Sequence, residues 1–114
     1  MNKLFIVSNK FSKNKKTYIV GTGRFALLQI TTMLQEHVYI EGFCSFDNAT
    51  VGMKIMNKNV FDINQFVNDS SSNFIIAEDD YESCEKKLKD LGIANTWVDI
   101  RMYSLINDCV WTFM

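Results

Sequence analysis

Residues 18–30, "YIVGTGRFALLQI", place a glycine-rich turn between a short apolar run and a segment with helical apolar spacing. Gly21, Gly23 and Ala26 fall at the three small-residue positions of the GxGxxG/A pattern. In that pattern the first glycine makes a tight turn, the second lets the backbone approach a pyrophosphate, and the third small residue lets the helix pack on the strand. The phosphate then binds free N–H groups at the positive end of the helix. The turn therefore predicts a phosphate-binding loop.

An acidic residue at the end of the next strand would complete a nucleotide site. Asp47 follows the apolar run that ends at Phe46, 26 residues beyond Gly21, where the motif usually has about 20. Its carboxylate can accept hydrogen bonds from a ribose hydroxyl or a base. The alternative is that Asp47 and Asn48 only form a turn, since both residue types favour turns. Together, the glycines and Asp47 favour a nucleotide-type ligand.

A third polar group follows another apolar run. Glu78, Asp79 and Asp80 come directly after "FIIA", at the end of a strand where ligands bind in parallel α/β sheets. Either Asp79 or Asp80 is expected to cap the next helix, with Asp79 and Glu82 at capping-box spacing. A site role for this acidic cluster and a purely structural one both stay open.

No catalytic arrangement is visible in the sequence. None of the four tyrosines is followed by a lysine four residues later. That Tyr–Lys pair is the commonest catalytic arrangement of nucleotide-binding α/β folds that act on nucleotide sugars. His37 lies at the end of a predicted helix, and Cys44 and Cys84 have no activating base nearby in sequence. The three cysteines form no CxxC pair, which argues against a zinc site or a disulfide framework. We therefore expect binding rather than catalysis, with no catalytic residue and no metal ligand.

The elements that must position these residues alternate along the chain. Buried strands are predicted at residues 16–20, 38–46, 74–77 and 93–100. The stretch 49–60 reads as irregular, with a short strand around Met53 to Met56 left open. Helices are predicted after the glycine turn to residue 35, from Asp62 to Val67, and from Asp79 or Asp80 to a stop at Gly92. This alternation predicts an α/β, Rossmann-like three-layer domain with a mainly parallel sheet.

Length and composition restrict the organisation. The 114 residues allow one domain, and 47% hydrophobic content is ample for a core. A net charge of −1 gives no general electrostatic case for nucleic acid, and no stretch approaches the roughly 20 apolar residues of a membrane span. We expect a cytoplasmic protein that binds no nucleic acid and has no membrane span. The expected divisions are a basic arm at 1–15, a nucleotide-binding domain at 16–101 and an amphipathic segment at 102–114.

The C-terminal segment carries more apolar surface than one helix face needs. Its apolar residues at helical spacing are Met102, Leu105, Ile106, Cys109, Val110 and Phe113. Tyr103 and Trp111 add aromatic surface outside that stripe. The segment is expected either to pack on its own sheet or to contact a second copy or a missing transferase domain. We expect a homodimer.

Three ordered stretches, "YIVGTGRFA", "IEGFCSFDN" and "FIIAEDDYESCEKKLKDLGI", resemble a known family. They are similar to the N-terminal nucleotide-sugar-binding domain of bacterial sugar O-acyltransferases. They are equally similar to related Rossmann-like domains beside sugar transferases and methyltransferases in polysaccharide gene clusters. The resemblance covers residues 16–95. It implies a UDP-sugar or another nucleotide as ligand and a role in surface-polysaccharide or sugar metabolism.

The resemblance also implies which residues contact the ligand. Those at the diphosphate would be Gly21, Thr22, Gly23, Arg24 and Phe25. Those near the nucleoside would be Asp47 and Asn48, with Ala77 and Glu78 beside the ligand. The family's Gly-x-Pro-Val turn is replaced by Asn57-Lys58-Asn59-Val60, where Asn can supply the left-handed conformation. The hexapeptide repeats that hold the acyltransferases' catalytic residues are missing from this sequence.

Two other functions stay open. The "GTGRF" turn also looks like that of potassium-channel regulatory domains, which favours a module that senses a dinucleotide. A vestigial Rossmann scaffold used only for protein contact is the third possibility.

Overall fold

The computed structural model describes residues 2–4 and 14–103 of the chain. The strands in these ranges are β1 (Asn2–Leu4), β2 (Thr17–Val20), β3 (Gly42–Ser45), β4 (Lys54–Ile55), β5 (Lys58–Asp62), β6 (Asn73–Ile76) and β7 (Thr96–Asp99). The helices are α1 (Arg24–Gln35) and α2 (Tyr81–Asp90), with a 3₁₀ turn at Ile63–Phe66.

The strands form one sheet in the order β1-β7-β6-β2-β3-β5-β4. Across the sheet, all neighbouring strands from β1 through β7, β6, β2 and β3 to β5 pair in parallel. At the edge, β4 pairs antiparallel with β5. The chain moves outward from β2 in one direction through β3 and in the other through β6. Such a reversal opens a crevice at the carboxyl ends of the two central strands, where α/β folds bind ligands.

Strand β2 is buried on both faces of the sheet, which explains its uninterrupted apolar sequence. Ile19 packs in a core with Ala26, Ile30 and Met33 of α1. Its neighbours along β2, with side chains on the opposite face, pack in a second core that includes Leu88 of α2. Helices therefore cover both faces, and the predicted α/β Rossmann-like three-layer domain with a mainly parallel sheet is confirmed.

A buried ion network fixes α1 to the strand β7. The Asp99 carboxylate is fully buried and accepts hydrogen bonds from Arg101 Nε at 2.9 Å and Nη2 at 2.8 Å. Gln29 Nε2 of α1 donates to the same carboxylate at 3.1 Å, and Arg101 also pairs with Glu36. Pairing and hydrogen bonding are what make a buried carboxylate tolerable.

The stretch predicted as irregular contains a hairpin, whose first strand, β4, lies within the short strand left open at 53–56. Strands β4 and β5 are joined through Met56 and Asn57, whose φ values of 48° and 66° are left-handed. Asn57 therefore takes the conformation expected of it. Strand β5 escaped prediction because Lys58 and Asn59 break its apolar pattern, and Val60 is its one fully buried residue. The strand predicted at 38–46 begins only at Gly42.

The expected basic arm begins as a strand. Residues 2–4 pair in parallel with β7, from Asn2 opposite Trp97 to Leu4 opposite Asp99. Backbone hydrogen bonds to an open sheet edge do not depend on side-chain polarity, so a lysine-rich sequence can form this strand. The remainder of the arm, and the amphipathic segment beyond Tyr103 with its expected dimer contact, lie outside the described residues.

Candidate functional site

A cavity of about 620 Å³ lies at the carboxyl edge of the sheet, where the chain order reverses. The turn after β2, the loop after β3, the segment after β6 and one face of α2 enclose it. Seven sequence-predicted site residues line it: Thr22, Gly23, Arg24, Phe25, Asp47, Ala77 and Glu78. Gly21 and Asn48 are not among the lining residues. Those that the sequence did not single out as site residues are Ser45, Phe46, Ser83, Cys84 and Lys87, beside Asp79 and Asp80 of the acidic cluster.

Gly21 shapes the turn rather than the cavity wall. Its φ of 131° is a conformation that side chains disfavour, and a Cβ there would come 2.4 Å from the carbonyl oxygen of Ala77. Its N–H donates to the Cys44 carbonyl at 2.9 Å, which ties the turn to β3. Glycine is therefore required at this position by backbone geometry alone.

Gly23 has the opposite surroundings. A Cβ on Gly23 would meet no atom within 4 Å, and its φ of −92° is open to any residue. Gly23 is the N-cap of α1, without a side-chain hydrogen bond to the helix, and the first turn carries no acidic residue. The first N–H groups of α1 thus begin at the cavity with neither a cap from residue 23 nor an acidic residue in their own turn.

The start of α2 borders the same cavity and is capped by its own side chain. Asp80 Oδ1 accepts a hydrogen bond from Ser83 N at 3.1 Å, and Glu82 adds a second carboxylate in the first turn. Asp80 rather than Asp79 is therefore the cap, so Glu82 is one position too early for the expected capping box. The positive end of α2 is already neutralised by the chain itself.

Asp47 makes the turn that its type favours and also lines the cavity. Its Oδ1 accepts from Ala49 N at 2.9 Å, which stabilises the loop after β3. Within the part of the chain that the structure describes, Asp47 Oδ2 accepts no hydrogen bond. The two interpretations of Asp47 are thus compatible, because Oδ1 serves the turn while the residue also lines the cavity.

Glu78 carries a carboxylate beside the glycine turn. Burial raises the pKa of Glu78, Asp79 raises it further and Lys87 opposes the change. The carboxylate Oε1 lies 3.3 Å from the point that a Cβ of Gly21 would occupy. Tyr103 fixes this segment, because its O–H donates to the Glu78 carbonyl at 2.6 Å and its ring stacks on Phe25.

The cysteines near the site are not activated. Cys44 and Cys84 are buried, and burial is the main cause that raises both thiol pKa values, that of Cys84 to about 12. A thiolate, not a thiol, is the nucleophile, so neither cysteine is reactive near neutral pH. Both pack in the apolar core on the α2 side of the sheet.

No family model matches the chain, and no curated protein matches it. Three solved structures of RSP, a Rex-family repressor, are similar in fold. RSP with β-NAD⁺ and operator DNA has a TM-score of 0.53, 20% identity, and covers 74% of this chain and 42% of its own. A second RSP structure has a TM-score of 0.51 and 21% identity, and the match covers 75% of this chain and 46% of RSP. RSP with β-NADH has a TM-score of 0.50 and 21% identity, and the match covers 74% of this chain and 45% of RSP.

These neighbours bear on two sequence-based expectations. Two of the three repressor structures are complexes with NAD⁺ or NADH, so the attribution to sugar O-acyltransferases, with its UDP-sugar and polysaccharide role, finds no support. The exclusion of nucleic acid is wrong, because one neighbour is a complex with operator DNA. A net charge near zero describes the whole chain and cannot report on local surfaces or on other domains.

Within the described residues, no helix is long and apolar enough to cross a membrane. The chain spans less than half the length of each of the three neighbours. At this level of identity the similarity extends to the fold, and the chain is accordingly a Rossmann-like α/β domain with a cavity at its topological switch point.

Proposed function

We propose that this chain binds an adenine dinucleotide, NAD⁺ or NADH, in the cavity and acts as the dinucleotide-sensing module of a regulatory protein. The observation that carries the proposal is the difference between the two helix starts at the cavity. Asp80 occupies the start of α2, whereas Gly23 leaves the start of α1 open and uncapped. An anion that enters the cavity has one favourable helix end to bind, and that end is α1.

The diphosphate is assigned to the first turn of α1. Its oxygens replace the capping side chain that Gly23 lacks, and the space beyond Gly23 accommodates them. Arg24 lines the same wall and adds a positive charge. A cavity of about 620 Å³ falls within the usual range for small-molecule sites.

The adenine ribose is assigned to Asp47. Its Oδ2 is available to accept a hydrogen bond from a ribose hydroxyl, as the acidic residue of this fold commonly does. A 2′-phosphate at that point would be repelled by the carboxylate, so we expect NAD⁺ and NADH to bind more tightly than NADP⁺.

The regulatory part of the proposal is supported by the neighbours, which are repressors found with NAD⁺, NADH and operator DNA. Its test is to select duplex DNA from a random library with the natural full-length protein, once with NAD⁺ and once with NADH. Retention of specific duplexes that depends on the dinucleotide supports a sensing module. Equal retention in both conditions contradicts it.

The binding part is tested by calorimetry with NAD⁺, NADH, NADP⁺ and UDP-glucose on the wild-type protein and two variants. Gly23→Asp adds to α1 the cap that α2 already has, so we expect NAD⁺ affinity to fall about 100-fold or more through lost charge-assisted bonds and repulsion. The fold should be retained, because a side chain at Gly23 meets no atom within 4 Å.

Asp80→Ala is the matched control, since it removes a cap from the other helix start at the same cavity. NAD⁺ affinity should stay within about threefold of the wild type, because the diphosphate is assigned to α1. Preference for UDP-glucose over both dinucleotides, or undiminished binding by Gly23→Asp, would overturn the proposal.

A further inference from the structure

Two phenylalanine rings line the cavity, and they differ in what already covers them. Phe25 is 8% exposed, stacks on Tyr103 with centroids 5.1 Å apart and has the Arg24 guanidinium 5.7 Å from its centroid. Phe46 is 38% exposed. Within the described ranges, Phe46 has the Lys87 ammonium over its ring, 5.3 Å from the centroid. Phe46 therefore offers the accessible aromatic face of this cavity.

The loop that carries Phe46 is well fixed. Ser45 Oγ accepts from Asp47 N at 2.9 Å and from Thr50 Oγ1 at 2.7 Å. Thr50 N also donates to the Asp47 carbonyl at 3.0 Å. A ring held on such a loop loses little freedom when a ligand stacks on it. Phe46 directly precedes Asp47 in the sequence, so a base attached to the ribose assigned to Asp47 is within its reach.

The contact between Phe46 and Lys87 joins two walls of the cavity, the loop after β3 and the helix α2. A flat base between them needs a van der Waals layer of about 3.5–4.0 Å on each side, or about 7–8 Å in all. The observed separation is 5.3 Å. The flexible Lys87 side chain must therefore withdraw by about 2 Å before a base fits.

We propose that Phe46 is the stacking platform for the adenine base and that Lys87 moves outward to close over the opposite face of that base. This inference rests on the proposed function and adds the side chains that recognise the base. Lys87 exchanges one aromatic face for another, so its cation–π attraction is kept in the bound state. The pair thereby selects ligands that carry a flat aromatic base.

The chain offers a matched control in a second aromatic–lysine pair. The Lys58 ammonium lies 3.9 Å from the ring centroid of Tyr39, which is 65% exposed and does not line the cavity. Tyr39→Leu therefore removes the same kind of contact without touching the proposed base site.

The experiment measures the Kd of NAD⁺ by calorimetry for the wild type and four variants. Phe46→Leu keeps apolar volume without a π face, and we expect affinity to fall about 5- to 150-fold, the usual range for base stacking. Lys87→Met should cost about two- to fivefold. Tyr39→Leu should stay within about threefold of the wild type. Phe46→Trp keeps a π face and should recover most of the affinity that Phe46→Leu loses.

The outcomes separate the two proposals. Unchanged affinity for Phe46→Leu in a protein whose wild type binds NAD⁺ overturns the platform and leaves the proposed function intact. Failure of the wild type to bind NAD⁺ or NADH overturns both. If circular dichroism finds Phe46→Leu unfolded, Phe46→Trp decides: NAD⁺ must quench the introduced indole emission beyond the change in the wild type, and no extra quenching overturns the platform.

Discussion

The two helices that begin at the cavity differ in how their first N–H groups are satisfied. The start of α2 has Asp80 as its cap and Glu82 in its first turn, whereas α1 starts at Gly23 with neither. Both helices pack on the same sheet and border the same space. The difference teaches that capping side chains decide where an anion can bind, because a helix end that is already neutralised has little attraction left for a ligand.

The largest effect is expected from the glycine that sets the direction of α1. Gly21→Ala places a Cβ 2.4 Å from a backbone carbonyl at a φ of 131°, so we expect the free energy of unfolding to fall by about 3 kcal/mol or more. Gly23→Ala is the matched variant and should change stability by about 0.5 kcal/mol or less, because its Cβ meets open space. Urea denaturation of both proteins measures the difference; equal losses would contradict the distinct roles.

The next effect is on ligand affinity at Asp47. Asp47→Ala removes both the turn bond and the assigned ribose contact, and we expect NAD⁺ affinity to fall by about 1.5–3 kcal/mol. Asp47→Asn keeps an oxygen that accepts from Ala49 N and removes only the negative charge. This variant should therefore lose less affinity for NAD⁺ than Asp47→Ala, and it should discriminate less against NADP⁺. Calorimetry on the two variants tests this. A carboxylate that points to solvent in a nucleotide-bound crystal structure would refute the assignment.

A smaller effect is expected at the capped helix start. Asp80→Ala leaves Ser83 N without its acceptor, which should lower the free energy of unfolding by about 0.5–2 kcal/mol. Asp80→Asn should restore most of that loss, since Asn is an equally good cap. Thermal denaturation at constant ionic strength is the measurement, and equal stability of all three proteins would show that the cap contributes nothing.

The smallest effect is a pH dependence at Glu78, which lies in the segment between β6 and α2. Its raised pKa means that the folded protein takes up a proton there at higher pH than the unfolded chain. Its contribution to stability is therefore present at low pH and lost as the pH rises through the folded value. Protonation also removes a negative charge beside the glycine turn, so NAD⁺ should bind more tightly as the pH falls, by about fivefold at most.

Glu78→Gln isolates this carboxylate from the neighbouring Asp79, Asp80 and Lys87. The variant should bind NAD⁺ with the affinity that the wild type reaches only at low pH, and its binding should vary less with pH. Calorimetry at several pH values from acidic to neutral provides the comparison, because burial raises the pKa of this carboxyl. An identical pH profile in wild type and variant would assign the dependence to another group.

Local chemistry in the sequence determined the parts of this protein that depend on near neighbours. The glycine turn between β2 and α1 is confirmed, because Gly21 adopts a conformation that only glycine takes readily. Asp62 caps the 3₁₀ turn through Asn64 N, and Gly92 ends α2 with a φ of 74°. Each signal acts within a few residues, so it can be interpreted without knowledge of the rest of the fold.

Long-range packing decided the rest. The choice of Asp80 over Asp79 as the cap, and of α1 over α2 as the open helix start, depends on how each loop leaves its strand. Phe46 and Lys87 are 41 residues apart in sequence and meet only because β3 and α2 border one crevice. The strand at 2–4 similarly needed the open edge of β7 to form. Such pairings carry no local sequence signal, since their free energy arises only when distant segments are brought together.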